Sequence, residues 1–260
     1  GGLPEFIAHS LPDYWGNIVF QKWMEANHLH PKSVNAVDRL SFIGKRAIGA
    51  LEFQPAHIQE DASINIELSS LYELANRLFL DRQDVNIDMS NNLIMEDLYK
   101  VGTSAGGQRP KAIIGMNEDT GIIRSGQADL PPNFKHYILK FDTSKQNEQP
   151  CTKVEMAYYL MAKDAGINMM PSKLVEIEGR QNFLTQRFDR HNGKKIHTQT
   201  LAAMSSFADA YEDLFVVGRK LNLSADEQSQ QYRRMVFNVI AENVDDHTKN
   251  FSFIMLPNGE

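Results

Sequence analysis

The sequence predicts an α+β fold of two lobes. Three observations carry that reading: helical spacing dominates the first part of the chain, alternating apolar runs with glycine-containing turns fill the middle, and helical spacing returns after Gly193. Strands gathered between helical ends, without regular alternation, suit an α+β layering better than a doubly wound one. Composition agrees, because 42% hydrophobic and 23% charged residues mark a chain that buries a core and not a disordered one. A length of 260 residues allows one large or two modest domains.

Residues 1–95 form the expected N-terminal subdomain. Helical spacing covers residues 18–26, a glycine-punctuated strand pair is expected over 41–53, and an amphipathic helix opened by Ser69 or Ser70 over 69–80. Trp15, Phe42 and Phe53 are expected in the core. Residues 96–188 form the β-rich lobe, its strand texture starting near Leu98. Strands are expected over 111–117, 137–142, 172–177 and 182–188 as members of one sheet. Between them Val154, Ala157, Tyr158, Met161 and Ala165 fall at helical spacing, which leaves Glu155 off the centre of the apolar stripe. Residues 189–260 begin a helical lobe, with helices over 201–210 and 225–242 and a strand in the apolar stretch 251–256. No repeat or low-complexity linker interrupts this order.

Charge and cysteine usage narrow the function classes. With 27 basic against 33 acidic residues the net charge is −6, which argues against a nucleic-acid coat, since such binding depends on neutralising phosphates. Cys151 is the lone cysteine, so no intramolecular disulfide forms, and a reducing compartment is expected. No apolar run approaches the roughly 20 residues of a membrane span, and Gly1-Gly2-Leu3-Pro4 lacks a signal-peptide n-region. A soluble, cytoplasmic protein is the expectation. The start without Met and the turn-like end Pro257-Asn258-Gly259-Glu260 suggest a chain cut at both ends.

Five segments carry candidate chemistry. The segment Asn243-Val244-Asp245-Asp246-His247-Thr248-Lys249-Asn250 places an Asp and an Asn five positions apart between a helix and a strand. A protein-kinase catalytic loop has that spacing, the Asp serving the attacking hydroxyl and the Asn a magnesium ion, although here His247 and Lys249 replace the usual Lys two residues after the Asp. A polar turn has the same composition. The run from Gly102 to Lys111 is glycine-rich with a nearby cation, as phosphate-cradling loops are. It is no Walker A loop, because Gln108 stands where Lys is required, and an ordinary turn competes as a reading. Lys140 lies on a strand face with His136 and Ile138, opposite Tyr137, Leu139 and Phe141. Glu155 on the next helix could pair with it, as a kinase requires, or be merely exposed. Gln186-Arg187-Phe188-Asp189-Arg190 ends a strand where a hinge would run. His191 and His197 lack partners at metal-ligand spacing. Together these stand in the order in which a kinase deploys its parts.

With these residues in view the chain resembles the HipA family of bacterial serine/threonine kinases, toxins of toxin-antitoxin pairs. The resemblance runs from Leu11-Pro12-Asp13-Tyr14-Trp15-Gly16 through Asp38-Arg39-Leu40 and Ile48-Gly49-Ala50-Leu51 to the end, and is most specific at Gly102 to Lys111, Gln186 to Arg190 and Asn243 to Ser252. It implies a two-lobed protein-kinase-like fold with the helical C-lobe truncated, and ATP and Mg2+ as cofactors. Asp245 would be catalytic and Asn250 a metal ligand. Nucleotide contacts would come from Ser104, Ala105, Gly106, Gly107, Lys111, Lys140, His247 and Lys249, and from a hinge at Gln186, Arg187 and Phe188. Glu155 would hold the acidic helix position, and Ser104 would be autophosphorylated, switching the enzyme off. The family's second metal ligand, an Asp, would lie beyond Glu260, so activity is expected of the intact protein and little of this piece. The implied partners are a helix-turn-helix antitoxin, operator DNA through it, and a protein substrate from the translation machinery. A non-catalytic co-repressor of kinase-like fold is the alternative, and a small-molecule phosphotransferase a third reading.

Overall fold

Before the chain reaches its sheet it builds helices, in a computed structural model that describes residues 2–30, 33–57, 65–80, 92–103, 106–127, 129–145 and 148–256. Helix α1 spans Glu5–Ala8 and α2 Tyr14–Ala26. On α2, Trp15, Val19 and Trp23, with Gly16, Phe20 and Met24 beside them, recur every four residues and are all buried. That face is the helix's contribution to the main core.

The strand pair expected over 41–53 is a correction. Residues Ala36–Ile43 are helix α3, followed by a 3-10 turn Gly44–Arg46 and irregular chain. The cause lies upstream, in a capping box: Asn35 Oδ1 accepts the N–H groups of Val37 and Asp38, and the Asp38 carboxylate accepts the Asn35 N–H. Once nucleated, the helix runs through Phe42 and Ile43 despite their β propensity, because Leu40 and Ile43 meet the core. Trp15 is fully buried, while Phe42 and Phe53 are half-buried.

Helix α4 spans Leu68–Leu80 as expected in extent, but its opening acceptor is Glu67 and neither serine. The Glu67 carboxylate takes the N–H groups of Ser69 and Ser70 at 3.1 and 2.7 Å. Helix α5, Asn92–Gly102, continues past the point where strand texture was expected, burying Met95, Leu98 and Tyr99.

The sheet begins at Lys111. Its strands β1 (Lys111–Met116), β2 (Ile123–Ser125), β3 (Lys135–Lys140), β4 (Ser172–Ile177) and β5 (Arg180–Gln186) lie in the order β2-β1-β3-β5-β4, all neighbours antiparallel. The four expected strands do share one sheet. Tyr137, Leu139 and Phe141 join Ala112, Ile114 and Leu184 in the main core with the buried faces of α2, α4 and α5. Helix α6, Cys151–Asp164, sits where helical spacing placed it and packs on β4 and β5.

Beyond the sheet, β6 (Arg190–His191) and β7 (Lys194–Lys195) form a short hairpin, and β8 (His197–Thr200) pairs with β9 (Ser252–Met255). Helix α7 is a single turn, Leu201–Met204, where a longer helix to 210 was expected. Helix α8, Tyr211–Lys220, was not expected at all. Helix α9, Ala225–Ile240, opens on a capping box between Ser224 and Glu227. Leu201, Leu214 and Phe253 make a second, smaller core under this region. Among the described residues no helix is long and apolar enough to cross a membrane.

Candidate functional site

The loop between α9 and β9 is shaped by its own polar side chains. Helix α9 ends with the Asn243 N–H returning to Asn238 O at 2.9 Å and Glu242 in the left-handed region at φ +51°. Asp245 and Asn250 then meet across the turn, as Asn250 Nδ2 donates to the Asp245 carbonyl at 2.5 Å. The five-residue spacing therefore closes a loop that holds one backbone still while leaving the Asp245 side chain 81% exposed. Its carboxylate lies 3.4 Å from His247 Nε2. On the far side, the Ala202 and Leu201 N–H groups donate to Thr248 O and Phe251 O, tying the loop to α7.

Two lysines stand side by side on the sheet. Lys111 and Lys140 are direct register partners on β1 and β3. Lys140 forms an ion pair with Glu155 of α6, so the expected strand-to-helix pair is present. Lys111 is buried and its ammonium donates to Gly106 O. Burial and the charge of Lys140 push its pKa down to about 8, against the opposing pull of Glu155, Asp13 and Asp245. The Asp245 carboxylate thus lies within electrostatic reach of Lys111.

Asp13 joins the two halves, a role the sequence did not single out. Its carboxylate accepts the Gly107 N–H at 3.2 Å and stands 4.0 Å from Lys249 Nζ. The adjacent Trp15 N–H donates to Gly107 O, and its indole to Lys111 O at 3.0 Å. Gly107 adopts φ +96°, a backbone conformation that favours glycine, and a Cβ there would stand 2.6 Å from Lys111 Nζ and displace that ammonium. Ser104 and Ala105, assigned to this loop, lie outside the described residues.

The connector is less open than a hinge reading suggests. The Gln186 N–H is given to Pro171 O and the Arg187 N–H to His136 O. The Arg187 side chain turns inward, its Nε and Nη2 gripping Asp189 at 2.8 and 2.6 Å, with Arg190 Nη1 on the same carboxylate at 2.9 Å and the Gly49 N–H at 2.8 Å. Burial alone would raise the Asp189 pKa, yet these guanidiniums and the Gly49 N–H hold it at about 2. Phe188 remains 45% exposed at the surface of this cluster.

Chemically, two ammonium groups and a glycine-rich backbone suit phosphate oxygens, and the Asp245 carboxylate and Asn250 carboxamide are hard oxygen donors of the kind magnesium takes. The described residues contain no group of three His, Cys, Asp or Glu that could hold a metal by itself. An antiparallel sheet flanked by helices, with a strand lysine ion-paired to a helix glutamate and an Asp-x4-Asn loop later in the chain, is a kinase-like fold. Family models match in two places, the HipA N-terminal domain over residues 1–54 and the HipA-like C-terminal domain over residues 103–260. The chain belongs to the HipA-like family. Among solved structures it is similar to a chain of the Shewanella oneidensis MR-1 toxin-antitoxin complex of HipA, HipB and operator DNA, at a TM-score of 0.65 and 18% identity, covering 98% of this chain and 61% of that one. A search of the curated proteins found no match.

Proposed function

We propose that the full-length protein is an ATP-dependent serine/threonine kinase acting as the toxin of a toxin-antitoxin pair. The supporting observation is the electrostatic reach of Asp245 to Lys111, whose register partner Lys140 is paired with Glu155. In this reading Asp245 accepts the proton of the attacking hydroxyl, and Lys111 and Lys140 balance the phosphate charge. Gly106 and Gly107 would contact the nucleotide once it displaces Asp13 from the Gly107 N–H, and His247 and Lys249 would contact it from the loop side. Mg2+, held in part by Asn250, would supply further charge neutralisation. Adenine would rest against the connector near Phe188, since the N–H groups of Gln186 and Arg187 serve protein carbonyls. Phosphorylation of Ser104 would add nearly two negative charges to the glycine-rich segment and oppose nucleotide binding. The division into units at residues 95 and 188 is a working proposal, as is a location in the cytoplasm.

The test is transfer of labelled phosphate by full-length protein, to itself or a translation-machinery protein, compared with Asp245→Gln. Equal incorporation by both would sink the assignment of Asp245. Peptide mass spectrometry after incubation with Mg-ATP decides Ser104, which another phosphosite with Ser104 unmodified would exclude.

A second reading is favoured by the complex in which the similar fold was solved, with HipB and operator DNA. Here the protein is a non-catalytic co-repressor that joins a DNA-bound helix-turn-helix antitoxin. Calorimetry separates the readings, because a protein that binds such a partner and no Mg-ATP is the co-repressor.

A further inference from the structure

Beneath Asp245, side chains from α8, α9 and the loop form one continuous hydrogen-bond chain. The Asp245 N–H donates to Asn243 Oδ1 at 3.2 Å, and Asn243 Nδ2 donates to Asn238 Oδ1 at 3.1 Å. Asn238 Nδ2 donates to the Tyr211 hydroxyl at 3.0 Å, which donates to Asp246 Oδ2 at 2.6 Å.

The direction of this chain is forced from one end. A backbone N–H only donates, so Asn243 must turn its oxygen to Asp245 and its NH2 to Asn238. Asn238 must then offer its oxygen to Asn243 and its own NH2 to the phenol. Tyr211 has one proton, and the Asp246 carboxylate takes it. The relay starts on the peptide N–H of Asp245 and ends on the side chain of the next residue, so it grips both sides of one peptide. Asn243, Asn238, Tyr211 and Asp246 are half-buried, whereas the Asp245 side chain is exposed and has no packing to aim it. Apart from His247 Nε2 at 3.4 Å, its direction must come from its backbone.

We propose that Tyr211 and Asn238 are positioning residues, which orient Asp245 toward the substrate hydroxyl through the relay ending on Asp246. This rests on the reading of Asp245 as the residue that serves that hydroxyl. Neither residue touches the lysine side of the site, so they set the turnover step and leave nucleotide binding alone.

Two substitutions isolate the relay. Tyr211→Phe keeps the ring, which packs edge-on against Phe251 at 5.5 Å, and deletes only the hydroxyl. Asn238→Asp keeps the acceptor for Asn243 and replaces the donor facing Tyr211. In full-length protein each lowers kcat about 10- to 100-fold, the loss expected of a small misplacement. KM for ATP stays within about twofold. The double variant loses no more than the worse single one, since both break one chain. Hydrogen exchange over residues 243–246, where the relay holds the loop, speeds up in both. Unchanged kcat, a KM that rises in step with the fall in kcat, or multiplicative losses would each overturn the proposal. A wild type that transfers no phosphate refutes the reading of Asp245 instead. The relay is then judged by exchange alone, and unaltered protection in both variants rejects it.

Discussion

Lys111 and Lys140 stand directly opposite one another on β1 and β3, with their side chains on one face of the sheet. Like charges in that position disfavour folding. Glu155 relieves Lys140, while Lys111 loses proton affinity, first through burial and then through the charge of Lys140. Such a cost at an otherwise ordinary sheet marks a place kept for something other than stability.

The sign of that cost can be measured. Between about 8, the folded value, and the ordinary 10.5, the unfolded chain holds a proton on Lys111 that the folded chain lacks. Stability therefore rises with pH through that window, and below it the burden is at its full size. Lys111→Met is expected to raise the thermal midpoint at pH 7, by less at pH 10, while calorimetry shows weaker ATP binding. A lower midpoint at pH 7 would count against the burial argument.

Glu155→Gln separates function from stability. The pair it breaks is about one-third exposed on both sides, so its loss costs under about 1 kcal/mol in urea unfolding. Phosphate transfer should fall at least tenfold if the pair aims Lys140, an estimate in line with single-group losses at preorganised sites. A variant that is destabilised yet fully active would reverse the assignment.

Asp189 is the opposite case. Its side chain is 4% exposed between Arg187 and Arg190, so Asp189→Asn leaves two buried guanidiniums without their anion and costs about 3–5 kcal/mol. The folded pKa is depressed to about 2, so this stability is present above the ordinary value of 3.8 and is lost as pH falls toward 2. Unfolding curves for wild type and variant should converge over that window. A gap of constant size down to pH 2 would contradict it.

Gly16→Ala tests the packing of α2 on the end of α5. In a helix interior alanine would gain about 1 kcal/mol over glycine. Its Cβ, however, would stand 2.3 Å from the Thr103 carbonyl, a backbone atom that no rotamer change can move. Overpacking of this kind costs about 1–3 kcal/mol, so a net loss is expected, read as a lower denaturant midpoint. A more stable variant would mean that the helices slide apart freely.

Strand periodicity made the central sheet legible, because β1, β3, β4 and β5 each announce themselves by residues that neighbour one another in sequence. The Lys140–Glu155 pair was legible as a strand lysine followed by a helix acid. Residues 41–53 misled, since Phe42 and Ile43 read as strand while the Asn35–Asp38 capping box had already started a helix. Helix α8 was missed, and with it Tyr211, whose value lies only in its distance to Asp246. Asp13 was seen as part of a motif and not as the link between two loops.

Taken alone, the sequence determined the central strands, helices α6 and α9 and the Asp245-to-Asn250 spacing, because helix, strand and turn preferences act over a few residues. The tertiary structure decided which groups share the site: that Asp245 is felt by Lys111, that Arg187 turns inward to Asp189, and that Asn238 and Tyr211 underlie the loop. Asp245 and Lys111, and Asn238 and Tyr211, are tens of positions apart, and Asp189 also holds the distant Gly49 N–H. Those relationships depend on register and on the docking of helices, which no local preference encodes.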